Sequence, residues 1–322
     1  MSSRRDFFKK ALKGCTAAGA IALTGCGQKS DDGQSKYDYD LTNLKKVDAK
    51  WLTYDLKQSI EIDMDDPTAL TSDGQDRLVL AGAGQGVIYN GDGAEVSRFT
   101  IEGKPRCIAL GSDNRLYLGY TEHIEVFDAQ GKRLARWDAL DREAILTGLA
   151  VNDAACFAAD AGNKLIHHYG LDGSYLGKIG KKDAGKDAPG FIIPSPYFDV
   201  TVGNYGELWA TNTGRHFVSQ YATDGRRVSH WGRASYRVDG FSGCCNPTHV
   251  AVLPDGRFVT SEKGLPRVKV YRPDGQLDAV VAGPNAFHDH TTGLDLAVLK
   301  QGVIAVLVPD EKQIRLYRPV NR

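Results

Sequence analysis

The chain carries no surplus of charge and no long apolar run. Its 322 residues include 40 lysines and arginines against 40 aspartates and glutamates, so the formal net charge is zero. A protein that grips nucleic acid needs a basic surface, and we therefore expect no nucleic-acid partner. The apolar stretch at residues 17–23 is far shorter than the ~20 residues that a membrane-spanning helix requires.

Methionine and several catalytic signatures are also scarce or missing. There are only two methionines but 36 glycines, a balance that favours short strands and tight turns over helix bundles. The sequence contains no G-x-S-x-G elbow and no C-x-x-C-H haem motif. The glycine-rich stretch at 81–86 is predicted to join two strands, which argues against a phosphate-binding loop ahead of a helix.

The first 26 residues have the pattern of an export signal. Positions 3–9 read SRRDFFK and resemble the twin-arginine signal of exported bacterial proteins, with Arg4 and Arg5 as the pair. The short apolar stretch then fits the hydrophobic region of a signal peptide. Positions 23–26 read LTGC and resemble a bacterial lipobox, which implies that Cys26 is lipidated and becomes the first mature residue.

These resemblances divide the chain into three parts. Residues 1–25 are predicted to be a signal peptide, and the polar residues 26–44 a flexible tether. Residues 45–322 are expected to form the folded domain in the cell envelope, anchored to a membrane and facing the periplasm or the outside. Removal of the signal takes away five basic residues and one acidic residue, which leaves a mature net charge of about −4. The alternative is ordinary cleavage and a soluble secreted product.

One short pattern recurs six times after residue 50. In each copy an aromatic residue ends an alternating strand, a polar turn with glycine follows in most copies, and in all but the last another strand begins. A second pair of strands precedes each copy, so one repeat holds four short strands. The recurring aromatic residues are Tyr89, Phe127, Tyr169, Tyr221, Tyr271 and Tyr317.

Six repeats of four strands predict an all-β, six-bladed β-propeller. A four-stranded unit cannot cover both of its faces alone, whereas radial packing lets neighbouring sheets cover each other. A two-sheet sandwich would not require six matching copies. The last repeat has too few residues after Tyr317 for its outer strand, so we expect residues 51–62 to supply it and close the ring.

The phrases NPTHVAVLPDG and PDGRFVTSEKGLPRVKVYRPDG resemble NHL repeats, a family of six-bladed propellers, over about residues 50–320. That resemblance implies the fold but no single activity, since such propellers act as enzymes, ligand binders and scaffolds. The early calcium-binding glutamate pattern of the lactonase branch is missing near Pro67.

Two predicted loops at the mouth of the channel carry unusual polar residues. The stretch GFSGCCNPTHV at 240–250 contains Cys244 and Cys245 and leads into the inner strand of the fifth blade, which begins near His249. The loop into the sixth blade contains His288 and His290, and these two loops are expected to face each other. The same rim is predicted to include three further residues, namely Arg215, His216 and Asp295.

This predicted cluster leaves four chemistries open. Cys244, Cys245, His288 and His290 are residue types that bind zinc or copper, although adjacent cysteines are poor partners on one tetrahedral ion. The two cysteines could instead form a strained, reducible vicinal disulfide. Histidine and carboxylate at a channel mouth could perform acid–base chemistry. The plainest alternative is a pair of small thiols in a tight turn.

On these grounds we expect a membrane-anchored, non-catalytic binding or assembly module. The rim at the mouth of its channel is expected to contact a protein partner or small ligand. The alternatives are a metal-assisted lyase or hydrolase and a thiol redox or electron-transfer accessory protein. Cys107 and Cys156 lie in apolar strands of different repeats and are predicted to be core residues.

Overall fold

Short alternating strands form six four-stranded antiparallel sheets in the computed structural model, which describes residues 42–73, 76–183 and 189–320. The sheets are arranged as the blades of a β-propeller, as the sequence predicted. The predicted signal peptide, including Arg4, Arg5 and Cys26, lies outside the described residues, as does most of the predicted tether. None of the helices in the described ranges is long and apolar enough to cross a membrane.

The strands follow the chain in order, from the inner to the outer edge of each of the first five blades. Blades 1 and 2 consist of β2 (Pro67–Ser72), β3 (Leu78–Gly82), β4 (Gln85–Tyr89), β5 (Glu95–Thr100), β6 (Cys107–Leu110), β7 (Leu116–Gly119), β8 (Ile124–Phe127) and β9 (Arg133–Arg136). Blades 3 and 4 consist of β10 (Leu146–Val151), β11 (Ala155–Asp160), β12 (Leu165–Gly170), β13 (Tyr175–Ile179), β14 (Val200–Val202), β15 (Leu208–Asn212), β16 (Phe217–Tyr221) and β17 (Arg227–Trp231). Blades 5 and 6 consist of β18 (His249–Val252), β19 (Phe258–Glu262), β20 (Arg267–Tyr271), β21 (Leu277–Ala282), β22 (Leu296–Val298), β23 (Ile304–Val308), β24 (Gln313–Pro319) and β1 (Tyr54–Glu61).

The sixth blade is closed by the N-terminal strand. Strand β1 pairs antiparallel with β24, from Tyr54 opposite Pro319 to Glu61 opposite Gln313. The first and last strands of the domain therefore lie side by side, and the sheet edge that β24 would expose is covered. This confirms the predicted ring closure.

Six apolar clusters fill the spaces between adjacent blades. The middle strands supply most of this core; the five residues of β19, for example, are all buried. The recurring aromatic residues lie at or next to the ends of the third strands, and all six are buried. Their repetition in the sequence thus reflects one equivalent packing position per blade.

The segment before β1 also belongs to the folded part of the chain. A short 3₁₀ helix covers Ala49–Trp51, and Leu52 forms an isolated bridge with Val280 on β21. Lys45 forms an ion pair with Asp289 in the loop before blade 6. Residues just after the predicted tether therefore already contact blades 5 and 6.

Every pair of neighbouring blades is linked by one side-chain-to-backbone hydrogen bond near the start of the inner strands. Such bonds contribute ~0.5–1.5 kcal/mol each and hold the six inner strands in register around the channel. In order around the ring they join Thr68 to the Pro105 carbonyl (2.7 Å), Arg106 to the Leu146 carbonyl (3.1 Å), Thr147 to the Phe198 carbonyl (2.6 Å), Asp199 to the Val250 amide (2.9 Å), Ser261 to the Leu294 carbonyl (2.7 Å) and Asp295 to the Leu70 amide (2.7 Å).

Candidate functional site

The loops between blades are strongly unequal in length. The loops into blades 1, 2 and 3 span residues 62–66, 101–106 and 137–145. Those into blades 4, 5 and 6 span 180–199, 232–248 and 283–295. The described residues of all six loops lie at the end of the channel where the inner strands begin, which we call the top rim. One side of the top rim, over blades 4 to 6, is thus built up by long loops, the usual carriers of binding residues.

The first half of the loop into blade 5 is an ordered turn that we call the arginine–tyrosine loop (residues 233–241). The amide of Phe241 donates to the carbonyl of Arg233, and the amide of Ser235 donates back to the carbonyl of Phe241. These bonds hold Tyr236 outward, where it is 63% exposed. Arg233 and Arg237 both pair with the single carboxylate of Asp239, so the loop has a positive balance.

Three buried charged side chains anchor this loop from below. Glu262 accepts hydrogen bonds from Arg267, at 2.7 and 3.0 Å, and forms an ion pair with Lys269 at 2.8 Å. Lys269 also donates to the carbonyls of Val238 and Gly240, so its three donors have three acceptors, as an ammonium group requires.

The electrostatic effects on this buried group oppose each other. Burial lowers the pKa of Lys269 below its usual value, and the Glu262 carboxylate opposes that change. Burial raises the pKa of Glu262, but Lys269 and Arg267 outweigh it and hold that pKa below its usual range. Removal of any one of the three side chains would leave a buried charge without its partner, which is strongly destabilising.

The second half of the loop is the cysteine turn (residues 242–248). Cys244 is exposed, whereas Cys245 is only 3% exposed. Their sulfur atoms lie 3.2 Å apart and are unbonded, compared with ~2.05 Å in a disulfide, so the structure shows the dithiol form. The hydrogen bond with Cys245 and partial burial raise the pKa of Cys244, and the ammonium of Lys263 partly offsets this rise.

The cysteine turn is fixed on both sides of the thiols. The Asn246 amide group donates to the carbonyls of Ser242 and Lys263, at 2.7 and 2.9 Å, and its oxygen accepts the amide of Lys263. His216, in the turn between β15 and β16, is hydrogen bonded to the carbonyl of Gly243 at 2.7 Å. Gly243 itself has a φ of +70°, a conformation that glycine adopts without strain. His216 and the cysteine turn are thus in contact, and Arg215 precedes His216 on the same rim.

The channel mouth beside this turn contains two carboxylates and an imidazole. His249, Asp199 and Asp295 line a cavity of about 250 Å³ that the six inner strands enclose. Burial raises the pKa of Asp199 and of Asp295, and the charge of Asp295 raises that of Asp199 further. Burial lowers the pKa of His249, while Asp295 opposes the change. Nδ1 of His249 lies 3.3 Å from the Ser261 hydroxyl.

Two residues of this region were not predicted from the sequence. The ring of Tyr197 meets His249 edge to face at 6.2 Å, and the Lys263 ammonium lies 4.6 Å from the centre of the Tyr197 ring. Tyr197 lies in the apolar, proline-containing stretch GFIIPSPYFD at 190–199, where no motif marks it. The buried charges of Glu262, Arg267 and Lys269 have a clearer signal in the sequence. The stretch SEKGLPRVKVY places these three charged residues in strands whose neighbours are apolar.

The predicted metal-binding group does not assemble. His288 and His290 are exposed, and the Asp289 between them pairs with Lys45. Across residues 42–73, 76–183 and 189–320, no three His, Cys, Asp or Glu side chains converge as a metal-binding group. Among the described residues, His288 and His290 thus belong to no group of three metal-ligating side chains.

Cys107, Cys156 and His167 have structural positions. Cys107 and Cys156 are buried free thiols in the core, as predicted. His167 is buried and lies 3.0 Å from the Asp160 carboxylate. Burial opposes ionisation of Asp160, but His167 and backbone donors hold its pKa at about 2.

Solved structures similar to this chain share its fold at low sequence identity. A streptogramin B lyase is 12% identical with a TM-score of 0.57, covering 84% of this chain and 99% of that one. A catalytically inactive histidine-to-alanine variant of virginiamycin B lyase from Staphylococcus aureus, with quinupristin, is 11% identical with a TM-score of 0.57, covering 83% and 100%. A chain of the mitotic checkpoint complex is 12% identical with a TM-score of 0.59, covering 95% and 99%.

No protein-family model matches the chain, and no curated protein sequence matches it either. The resemblance to NHL repeats therefore stays a prediction. At these identities the solved structures establish the fold alone: the chain is a six-bladed β-propeller.

Proposed function

We propose that this protein is a binding or assembly module whose contact surface is the top rim over blades 4 to 6. The observation that carries the proposal is the concentration of long loops on that side of the top rim, beside the channel mouth that His249, Asp199 and Asp295 line. Loops held by a rigid scaffold are the usual means by which propellers and similar folds bind partners.

The chemistry of the arginine–tyrosine loop favours a partner with acidic groups. Tyrosine and arginine are the residue types most enriched among those that dominate binding energy. Tyr236 is exposed on an ordered turn, so little conformational entropy is lost when a partner covers it. Two guanidinium groups share the one carboxylate of Asp239, which leaves a positive charge for the partner to neutralise.

The proposed setting is the cell envelope. The patterns at residues 3–9 and 23–26 support export by the twin-arginine route and lipidation of Cys26. A lipid anchor and a polar tether would hold the propeller close to a membrane, where its rim meets a membrane-associated partner.

The proposal is tested with a double variant of the contact surface. Tagged mature protein is incubated with solubilised envelope proteins of the producing bacterium, and the co-purified proteins are quantified by mass spectrometry. Tyr236→Ala with Arg237→Ala should reduce recovery of the specific partner by at least ~10-fold, since each lost anchor costs over ~1 kcal/mol. Recovery by the unaltered protein should also fall with added salt.

The matched control lies at the opposite end of the channel. Tyr205, which is 96% exposed, and Arg226 lie in turns of blade 4 at the bottom rim. Tyr205→Ala with Arg226→Ala removes the same residue types and should leave recovery unchanged. Equal loss in both double variants, or loss in neither, would refute the top rim as the contact surface.

A second candidate function is acid–base catalysis at the channel mouth. It is favoured by His249, whose lowered pKa keeps the imidazole neutral beside Asp295, as a general base requires. Two structures that share the fold are a streptogramin B lyase and a virginiamycin B lyase, the second as a catalytically inactive histidine-to-alanine variant. The substrate class would be cyclic esters or related compounds with an acidic proton.

This candidate is tested by a screen with quinupristin and simple lactones, with and without added divalent cations. Turnover that is lost in His249→Gln and kept in His230→Gln, a change on the outer strand β17, would support it. Absence of turnover in the unaltered protein, or turnover insensitive to His249→Gln, would remove it.

A further inference from the structure

The exposed and buried thiols of the cysteine turn form an asymmetric pair. Cys244 faces solvent at the top rim, and the buried Cys245 thiol lies behind it at 3.2 Å. Closure to a disulfide at ~2.05 Å requires the sulfur atoms to approach by only about 1 Å. No further ligand converges on the pair among the described residues, which separates this arrangement from a metal site.

We propose that Cys244 and Cys245 carry out thiol–disulfide exchange with a cysteine-containing protein partner bound at the top rim. Cys244 is the residue that attacks the partner, because it is the exposed thiol. Cys245 is the residue that resolves the intermediate, because it is buried and within contact of the Cys244 sulfur.

The exchange proceeds in two balanced steps. The Cys244 thiolate attacks one sulfur of the partner's disulfide; that S–S bond breaks, one partner cysteine leaves as a thiolate, and a mixed disulfide forms. The Cys245 thiolate then attacks the Cys244 sulfur, which releases the second partner thiolate. Two electrons pass from the Cys244–Cys245 dithiol to the partner's disulfide, and the two protons lost by the dithiol end on the partner's thiolates.

The surroundings of the pair suit this chemistry. The hydrogen bond with Cys245 raises the pKa of Cys244 and the Lys263 ammonium partly offsets this rise, so the exposure of Cys244 and its contact with Cys245 carry the inference. The bonds of Asn246 on one side and of His216 on the other fix the backbone around the thiols. The pair is therefore presented from a rigid frame, so the movement that closes it is confined to the two cysteines.

The inference rests on the proposed function, since it names the chemistry of the partner at the same rim. Its failure can still be told apart from that of the binding proposal. If the pair does not undergo exchange but Tyr236→Ala with Arg237→Ala still abolishes partner recovery, exchange is refuted and binding stands.

The test uses the mature protein equilibrated at pH 8 in buffers of reduced and oxidised glutathione. Trypsin releases residues 238–257 as one peptide whose only cysteines are Cys244 and Cys245. We expect this peptide to convert reversibly between a dithiol form and a form lighter by two hydrogens, as the glutathione ratio is varied.

Two variants identify the attacking thiol. In Cys245→Ala the intermediate cannot be resolved, so glutathione should accumulate on Cys244. In Cys244→Ala the remaining thiol is buried, and glutathione uptake should be roughly tenfold lower. Circular dichroism and urea unfolding confirm that both variants fold, and the measurement on the unaltered protein does not depend on them. A peptide that stays in the dithiol form at every glutathione ratio, or equal adduct on both single thiols, overturns the proposal.

Discussion

At the scale of single residues, the channel mouth retains carboxylates at a cost in stability. Asp199 and Asp295 each accept a backbone amide of the next blade, a task that an amide oxygen could also perform. Their raised pKa values show that ionisation is unfavourable in these positions. Carboxyl groups with perturbed pKa values in a cleft are typical of functional sites, which fits a binding or catalytic role for this mouth.

We predict that Asp295→Asn changes the pH dependence of stability. A carboxyl group with a raised folded-state pKa contributes stability that is fully present below its unfolded value near 4 and is lost as the pH rises through the folded value. The free energy of unfolding of the amide variant, relative to the unaltered protein, should therefore rise between pH 4 and pH 8. Each unit of pKa shift corresponds to about 1.4 kcal/mol.

Urea unfolding at several pH values measures this difference. The control is Asp295→Ala, which also removes the acceptor for the Leu70 amide and should be less stable than Asp295→Asn throughout. A difference between Asp295→Asn and the unaltered protein that does not vary with pH would contradict the prediction.

At the scale of strands, the closing strand β1 determines whether the ring is complete. Ile60 on β1 pairs with Ile314 on β24 and is buried in the core between blades 6 and 1. Leu56 lies on the same strand but is 50% exposed. One strand thus carries both a core position and a surface position, which permits a direct comparison.

We predict that Ile60→Ala lowers the free energy of unfolding by ~2–5 kcal/mol, because it removes buried aliphatic carbon and leaves a cavity. Leu56→Ala should change it by less than ~0.5 kcal/mol. Urea unfolding of the two variants makes the comparison. Similar losses in both would mean that β1 does not pack against blade 6 as described.

At the scale of the whole molecule, we propose separate roles for the propeller and for the N-terminal segment. The propeller presents one built-up rim, and residues 1–44 are proposed to determine where that rim is located in the cell. A single acyl chain holds a protein weakly, whereas two or more anchor it durably. Lipidation of Cys26 would therefore make the protein membrane-bound without a spanning helix.

We predict that the protein from intact cells partitions with membranes and into detergent, and that Cys26→Ser abolishes this partitioning. Mass spectrometry of the mature N-terminus should show a lipidated Cys26. Cys15→Ser is the matched control, since it removes the other cysteine of the segment and should have no effect. An unmodified N-terminus, or a soluble protein with Cys26 present, would exclude the anchor.

The sequence predicted features that repeat or that depend on local chemistry. Six copies of one strand pattern with an aromatic residue at the same place revealed six blades, because each blade solves the same packing problem. The unfinished last repeat revealed the closing strand β1. The order of the repeats also predicts that the loops with Cys244 and His216 and the start of the strand with His249 lie on one rim of the channel.

Other features were decided only by the tertiary structure. Whether His288 and His290 meet the thiols depends on loop paths that no periodicity specifies, and in the structure the Asp289 between them pairs with Lys45. The roles of Glu262, Arg267 and Lys269 depend on their burial beneath the arginine–tyrosine loop. The contact of Tyr197 with His249 depends on the path of another loop, the one into blade 4. Repetition records contacts that every blade shares, whereas a site is built from the contacts that only one blade makes.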